Sequence, residues 1–159
     1  MTQIDRRQFV LGNGALILTG AVTGCLNGND VLNDDSNDAP PEGIPAEVHD
    51  YMIRRRANGY DETVENLTGE DEITIDVGDP RGGSNYMFQP AVPEIDEGTT
   101  VVWEWIDNVS HSVTHVDEEF DSGIRRDYTF EYTFDETGNY LYYCIPHRTI
   151  GHIGALIVV

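Results

Sequence analysis

Cys144 and His147 stand three residues apart, and His152 follows five residues later, in Cys144-Ile145-Pro146-His147 and Gly151-His152-Ile153-Gly154. A thiolate and two imidazoles on one short loop are a ready donor set for a metal ion. Thiolate plus imidazole suits copper or zinc, whereas harder cations prefer oxygen. Three donors on one loop call for a fourth from elsewhere. His111, in Ser110-His111-Ser112-Val113, is the candidate. Two imidazoles and a thiolate in one plane, with a weak ligand on the axis, suit one-electron chemistry at copper. The same donors closed into a tetrahedron suit zinc.

The elements that must hold these donors are strands. Ile73, Ile75 and Val77 alternate with Thr74 and Asp76, which is the period of a half-buried strand. Residues 99–106 carry Val101, Trp103 and Trp105 on one face. Residues 128–134 alternate Tyr128, Phe130, Tyr132 and Phe134 with Thr129, Glu131 and Thr133. Residues 139–144 and 154–159 complete the set. Turn signals separate them at Asp96-Glu97-Gly98, Asp121-Ser122-Gly123 and Glu136-Thr137-Gly138. Short strands with regular turns predict an all-β sandwich or barrel. One helix is predicted over residues 45–56. Pro45 suits its first turn, and Arg54, Arg55 and Arg56 suit its negative end. Val48, Tyr51, Met52 and Arg55 share a face. His49 on this helix is read as a packing or surface residue, not a ligand. His115 would lie about 13 Å from His111 on a continuous strand, too far to share one ion.

The chain carries 29 acids against nine arginines and no lysine, a formal charge of −20. That balance excludes a nucleic-acid partner, which needs a basic footprint. A repelling acidic surface fits a protein that stays soluble in concentrated salt. The expectation is therefore a halophilic source. The two cysteines, Cys25 and Cys144, each have a better local explanation than a disulfide.

The first 24 residues read as a processing signal. Arg6-Arg7-Gln8-Phe9-Val10 is a twin-arginine pattern, and an apolar run to Val22 follows. Val22-Thr23-Gly24-Cys25 resembles a lipobox, with Val in place of the usual Leu. Cleavage there would leave Cys25 to be lipidated. Residues 25–43 are rich in Asn, Asp, Gly and Pro, and read as a flexible acidic tether. The predicted layout is a signal over 1–24, the tether over 25–43, a helix and connector over 44–66, and a metal-binding domain over 67–159.

Residues 60–159 resemble the cupredoxins, and among them the halocyanins, small blue copper proteins of halophilic archaea. The matching pieces are Thr68-Gly-Glu-Asp, Ile75-Asp-Val-Gly, Asn85-Tyr-Met-Phe-Gln-Pro, Gly98-Thr-Thr-Val-Val-Trp-Glu-Trp, Phe120-Asp-Ser-Gly and Tyr142-Tyr-Cys-Ile-Pro-His. The resemblance implies an eight-stranded Greek-key sandwich with one copper ion near one end. It implies His111 and His147 as the histidine ligands and Cys144 as the thiolate. The family's fourth position is Met in a Gly-Met-x-Gly setting. This chain has His152 there, a harder donor than a thioether. A short bond to it would favour Cu(II), lower the potential and make the site more tolerant of zinc. Met52 and Met87 do not fall where an axial ligand is expected.

Pro146 has no N–H and so removes one hydrogen bond that could reach the Cys144 sulfur. Ile145, Ile150 and Ile153 are read either as an apolar collar around the His147 edge or as core. The functional expectation is a membrane-tethered, monomeric one-electron carrier on the outer face of the cell membrane, serving redox proteins. The alternatives are a red or green copper site with an enzymatic or sensory role, and a copper-binding lipoprotein without redox turnover. No nucleophile elbow, phosphate loop or acid/base pair points to an enzyme.

Overall fold

The computed structural model describes residues 39–78 and 86–159. The twin-arginine segment, Cys25 and most of the tether lie outside the described residues. In chain order the elements are α1 (Ala46–Arg54), β1 (Glu65–Asn66), β2 (Glu72–Val77), β3 (Phe88–Gln89), β4 (Pro93–Ile95), β5 (Thr100–Trp105), β6 (Thr114–His115), β7 (Thr129–Thr133), β8 (Gly138–Tyr143), a 3-10 turn (Ile145–Ile150) and β9 (Ile153–Val158). They form two sheets, β1-β4-β9-β8-β6 and β3-β2-β5-β7. The all-β sandwich with one short helix is therefore what the alternation predicts. The described residues contain nine strands, not eight. The ninth is β1, two residues paired in parallel with β4 at the sheet edge.

Alternation decides which side chains enter the sandwich. In β2 and β5, Ile73, Ile75, Val77, Val101, Trp103 and Trp105 are buried. They meet Tyr140, Tyr142, Leu156 and Val158 from the opposite sheet. Trp103 is wholly buried, with Phe120, Phe130 and Tyr142 rings at centroid distances of 5.6–5.7 Å. Truncating such a side chain to alanine costs about 3–5 kcal/mol.

The other face of β8 and β9 carries Leu141, Ile153, Ala155 and Ile157, and α1 covers it with Val48 and Met52. Both faces of β9 are thus buried, which is why its sequence is an unbroken apolar run and does not alternate. The helix is shorter than the predicted 45–56, and Pro45 is its N-cap, in extended conformation, not its first helical residue. Glu47 sits in its first turn and Arg54 in its last, as the dipole favours. His49 is 2% exposed, and its Nδ1 lies 2.9 Å from the Tyr60 hydroxyl. It is a packing residue on the buried side of the helix.

The register gives the sandwich two distinct ends. β2 and β5 run side by side, Glu72 beside Thr100 and Val77 beside Trp105. β8 runs from Gly138 to Tyr143, and Cys144 follows. The loops after β5 and β8 and the segment before β3 converge at one end. The loops before β2, β5 and β8 gather at the other.

Candidate metal centre

All four predicted donors converge at the first end. One donor atom each from His111, Cys144, His147 and His152 lies within 4.8 Å of the others. The Nδ1 atoms of His111 and His147 are 3.2 Å apart. The Cys144 sulfur is 3.7 Å from the first and 3.5 Å from the second. The point equidistant from these three atoms is about 2.0 Å from each, a metal–imidazole bond length and a little short of a metal–thiolate one. A trigonal ion fits this triangle. The fourth donor stands farther off, since the full set reaches 4.8 Å and the triangle only 3.7 Å. A regular tetrahedron on bonds of about 2.1–2.3 Å would separate donors by about 3.4–3.8 Å. His152 therefore stands farther from the other three than they stand from one another.

The loop after β5 positions His111. Its backbone exchanges two 2.8 Å hydrogen bonds with Arg125, and its side chain is fully buried. Its Nε2–H donates to Asp107 Oδ1 at 2.9 Å. That bond puts the proton on Nε2 and leaves the Nδ1 lone pair for a metal, the usual way a carboxylate orients a ligating imidazole. Asp107 also accepts the Val109 N–H. Gly78, at φ +121°, makes room for it, because a Cβ there would collide with the Asp107 carboxylate. Burial lowers the His111 pKa, and the hydrogen bond and charge of Asp107 oppose that shift.

The turn after β8 supplies the other three. Pro146 lies in the first turn of the 3-10 segment, where a missing N–H costs nothing. The His147 N–H donates to the Cys144 carbonyl, and the Cys144 N–H donates to the His152 carbonyl. These bonds fold the donors together. The Ser112 N–H donates to the Cys144 sulfur at 3.4 Å, and the Ser112 hydroxyl accepts the Ile145 N–H at 2.8 Å. Burial pushes the Cys144 thiol up to about 11, against the lowering effect of the Ser112 N–H. Burial and the neighbouring His111 hold the His147 pKa below the usual histidine value.

His152 is wholly buried, and neither ring nitrogen has a hydrogen-bond partner. Its ring lies 4.2 Å from Phe88 and 4.9 Å from His111 between centroids. Burial first, then the two neighbouring imidazoles, push its pKa down to about 2; the Met87 carbonyl opposes them without reaching hydrogen-bond geometry. A neutral imidazole without partners, beside three metal donors, fits a metal ligand.

Three further residues build the site and were not singled out in the sequence. Asp107 is one. Tyr86 is the second: its ring stacks on His147 at 4.1 Å and 8°. Asn58 is the third. Its Nδ2 donates to the Tyr86 carbonyl at 2.8 Å and the Ile150 carbonyl at 2.9 Å, and its N–H donates to the Gly151 carbonyl at 2.8 Å. The connector after α1 thus clamps the ligand turn. The spacing of Asp107 four residues before His111 was a readable signal, and Tyr86 lies in the Asn85-Tyr-Met-Phe-Gln-Pro piece of the family resemblance; nothing local ties Asn58 to the site.

Ile145 and Ile150 are 44% and 52% exposed beside His147, whereas Ile153 is core beneath α1. The collar has two isoleucines, not three. His115 packs against Phe120 and Tyr140 away from the cluster, because the segment from His111 to His115 is not one strand. Met52 is on the buried face of α1, away from the cluster.

The sequence model of the copper-binding proteins of the plastocyanin/azurin family matches residues 73–159. Halocyanin from Natronomonas pharaonis is 40% identical over 164 aligned residues, covering 99% of both chains. Plastocyanin from Scenedesmus fuscus is 27% identical over 55% of this chain and 99% of its own. Among solved structures, a purple cupredoxin from Nitrosopumilus maritimus is 30% identical over 57% of this chain and all of its own, with a TM-score of 0.46.

Proposed function

Since this chain belongs to the plastocyanin/azurin family of copper-binding proteins, which are electron carriers and not enzymes, we propose that it carries single electrons between redox proteins through one copper ion held by His111, Cys144 and His147, with His152 on the axis. The observation that carries this reading is the triangle of two Nδ1 atoms and one sulfur. Bound copper would supply a Cu(I)/Cu(II) couple. The chain's own residues do the rest. Asp107 keeps the His111 proton on Nε2. The buried thiol keeps its proton until a metal displaces it. The partly exposed His147 edge, with Ile145 and Ile150 beside it, gives a partner close and desolvated access.

The domain is further proposed to be exported by the twin-arginine route and held at the outer face of the cell membrane by a lipid on Cys25. The likeness to halocyanin extends over the N-terminal segment and supports this. No helix among the described residues is long and apolar enough to cross a membrane. Replacing Cys25 with Ser should release the protein from membranes.

The decisive test is the optical and EPR spectrum of the copper-loaded protein. The wild type should show a strong thiolate-to-copper band, and Cys144→Ser should abolish it. A variant that kept the full visible absorption would sink the assignment. His152 favours a second reading, a red or green site, if its imidazole binds copper tightly; a plain blue spectrum would exclude that reading.

A further inference from the structure

Asn58 and Gly59 are each suited to their place, for separate reasons. Asn58 Nδ2 donates to the Tyr86 carbonyl and to the Ile150 carbonyl. The Tyr86 ring stacks on His147, and Ile150 ends the 3-10 turn between His147 and His152. A carboxylate of the same shape has no hydrogen to give either carbonyl. Gly59 is exposed at φ +77°, a conformation that favours glycine, and a Cβ on it would come within 3.2 Å of the Met87 sulfur. The clamp calls for the amide and the turn calls for the glycine.

Together they form a chemically weak pair. The backbone nitrogen of a residue that follows asparagine can attack the asparagine side-chain carbon, and glycine has no Cβ to shield its nitrogen. Among the described residues this is the one Asn-Gly pair: Asn66, Asn108 and Asn139 precede Leu67, Val109 and Tyr140. In the reaction the Gly59 nitrogen bonds to Asn58 Cγ and the Cγ–Nδ2 bond breaks. The Gly59 amide proton leaves with Nδ2 as ammonia. Water then opens the cyclic imide at either carbonyl, which puts aspartate or its β-linked isomer at position 58. No oxidant or reductant takes part.

Nδ2 is thus both the donor of the clamp and the leaving group. While the clamp is closed, Nδ2 is tied to two separate segments, and the Asn58 N–H is tied to the Gly151 carbonyl at 2.8 Å. The ligand turn lies directly on the carboxamide, since a Cβ on Gly151 would come within 3.0 Å of Asn58 Oδ1.

We propose that Asn58-Gly59 is a deamidation site guarded by the metal centre: the closed ligand turn protects the amide, and conversion after the turn opens removes the clamp for good. A metal ion that binds the closed turn lowers the population of the open one, and so slows the reaction. By the same coupling, a chain that has lost the clamp binds the ion less tightly. The product also places a negative charge beside two carbonyl oxygens. This needs a metal ion on the turn but does not need that ion to carry electrons.

The test incubates the full chain, metal-free or loaded with redox-inert Zn(II), in mildly alkaline buffer. Peptide mass spectrometry follows the mass gain of amide-to-acid conversion, and chromatography separates the aspartate and β-linked products. Asn27-Gly28, the same pair outside the described residues, is an internal reference. The Asn58 rate relative to the Asn27 rate should be at least about tenfold higher in the metal-free chain. Equal ratios in the two states, or an intact Asn58 amide in the metal-free chain after Asn27 has converted, would overturn the proposal. A chain that did not bind Zn(II) would overturn the metal centre and the guard with it. Asn58→Asp, the direct product, should bind Zn(II) about tenfold more weakly in competition with a chelator. The aged wild type, resolved from the intact chain by anion exchange, gives the same comparison without a variant that must fold. Unweakened binding by the aged fraction would overturn the claim that conversion removes the clamp.

Discussion

The two arms of the metal centre are built differently. The His111 arm is held by its neighbours: Asp107 four residues back, and Arg125 through a backbone bridge. The turn from Cys144 to His152 is held from a distance, by Asn58, Tyr86 and Phe88. A short polar arm can orient one imidazole by itself. A turn that must present three donors at once needs a scaffold, and here the scaffold is the connector after α1 together with the segment that enters β3. The segment preceding the sheets is therefore part of the metal centre and not an appendage.

The contrast breaks most visibly at the glycines. Gly151 has φ +89°, and a side chain there would strike the Arg56 backbone; Gly78 would strike only the Asp107 side chain. Gly151→Ala should cost about 3 kcal/mol of metal-free stability, since both strain and collision act. Gly78, at φ +121°, carries backbone strain too, so Gly78→Ala should cost less only through the collision, which there meets a side chain and not the backbone. Chemical denaturation of the two variants measures the difference, and equal losses would contradict the two-arm picture.

Acid tests the buried side of the turn. His152 is held neutral when folded, at about 2, against an ordinary value of 6.5. Below pH 6.5 the unfolded chain takes a proton that the folded chain refuses. Stability of the metal-free protein should therefore fall with pH, by about 1.4 kcal/mol per unit for this one group. The urea midpoint should drop between pH 7 and pH 5, and His152→Phe should flatten that drop. A wild-type midpoint that held steady or rose would refute the buried neutral imidazole.

The next test separates the arms by readout. Asp107→Asn should weaken metal binding about 10- to 100-fold, as loss of an orienting carboxylate does. It should leave metal-free stability nearly unchanged. Competition with a chelator measures the first quantity and denaturation the second.

Asn58→Ala should have the smallest effect, about 1–2 kcal/mol, spread over both quantities. It frees the Tyr86 and Ile150 carbonyls together, one of them at an exposed position. A loss confined to metal binding would mean that the clamp serves the site alone and not the fold.

Much of this was legible in the chain. Period-two alternation picked out the faces of β2 and β5, because a strand sends successive side chains to opposite sides. The short spacing of Cys144, His147 and His152 fixed the ligand turn, since covalent geometry lets three donors on nine residues meet. β9 hid its pattern because it is buried on both faces. What only the tertiary structure decided lies between residues far apart in sequence. Asn58 reaches across 28 residues to Tyr86 and 92 to Ile150. Ile153 became core and Ile145 collar although both are isoleucines flanking the same turn, because α1 covers one and nothing described covers the other. A local pattern records how a residue is placed relative to its chain neighbours. What that residue faces is set by elements that arrive from elsewhere, and those leave no mark in the spacing.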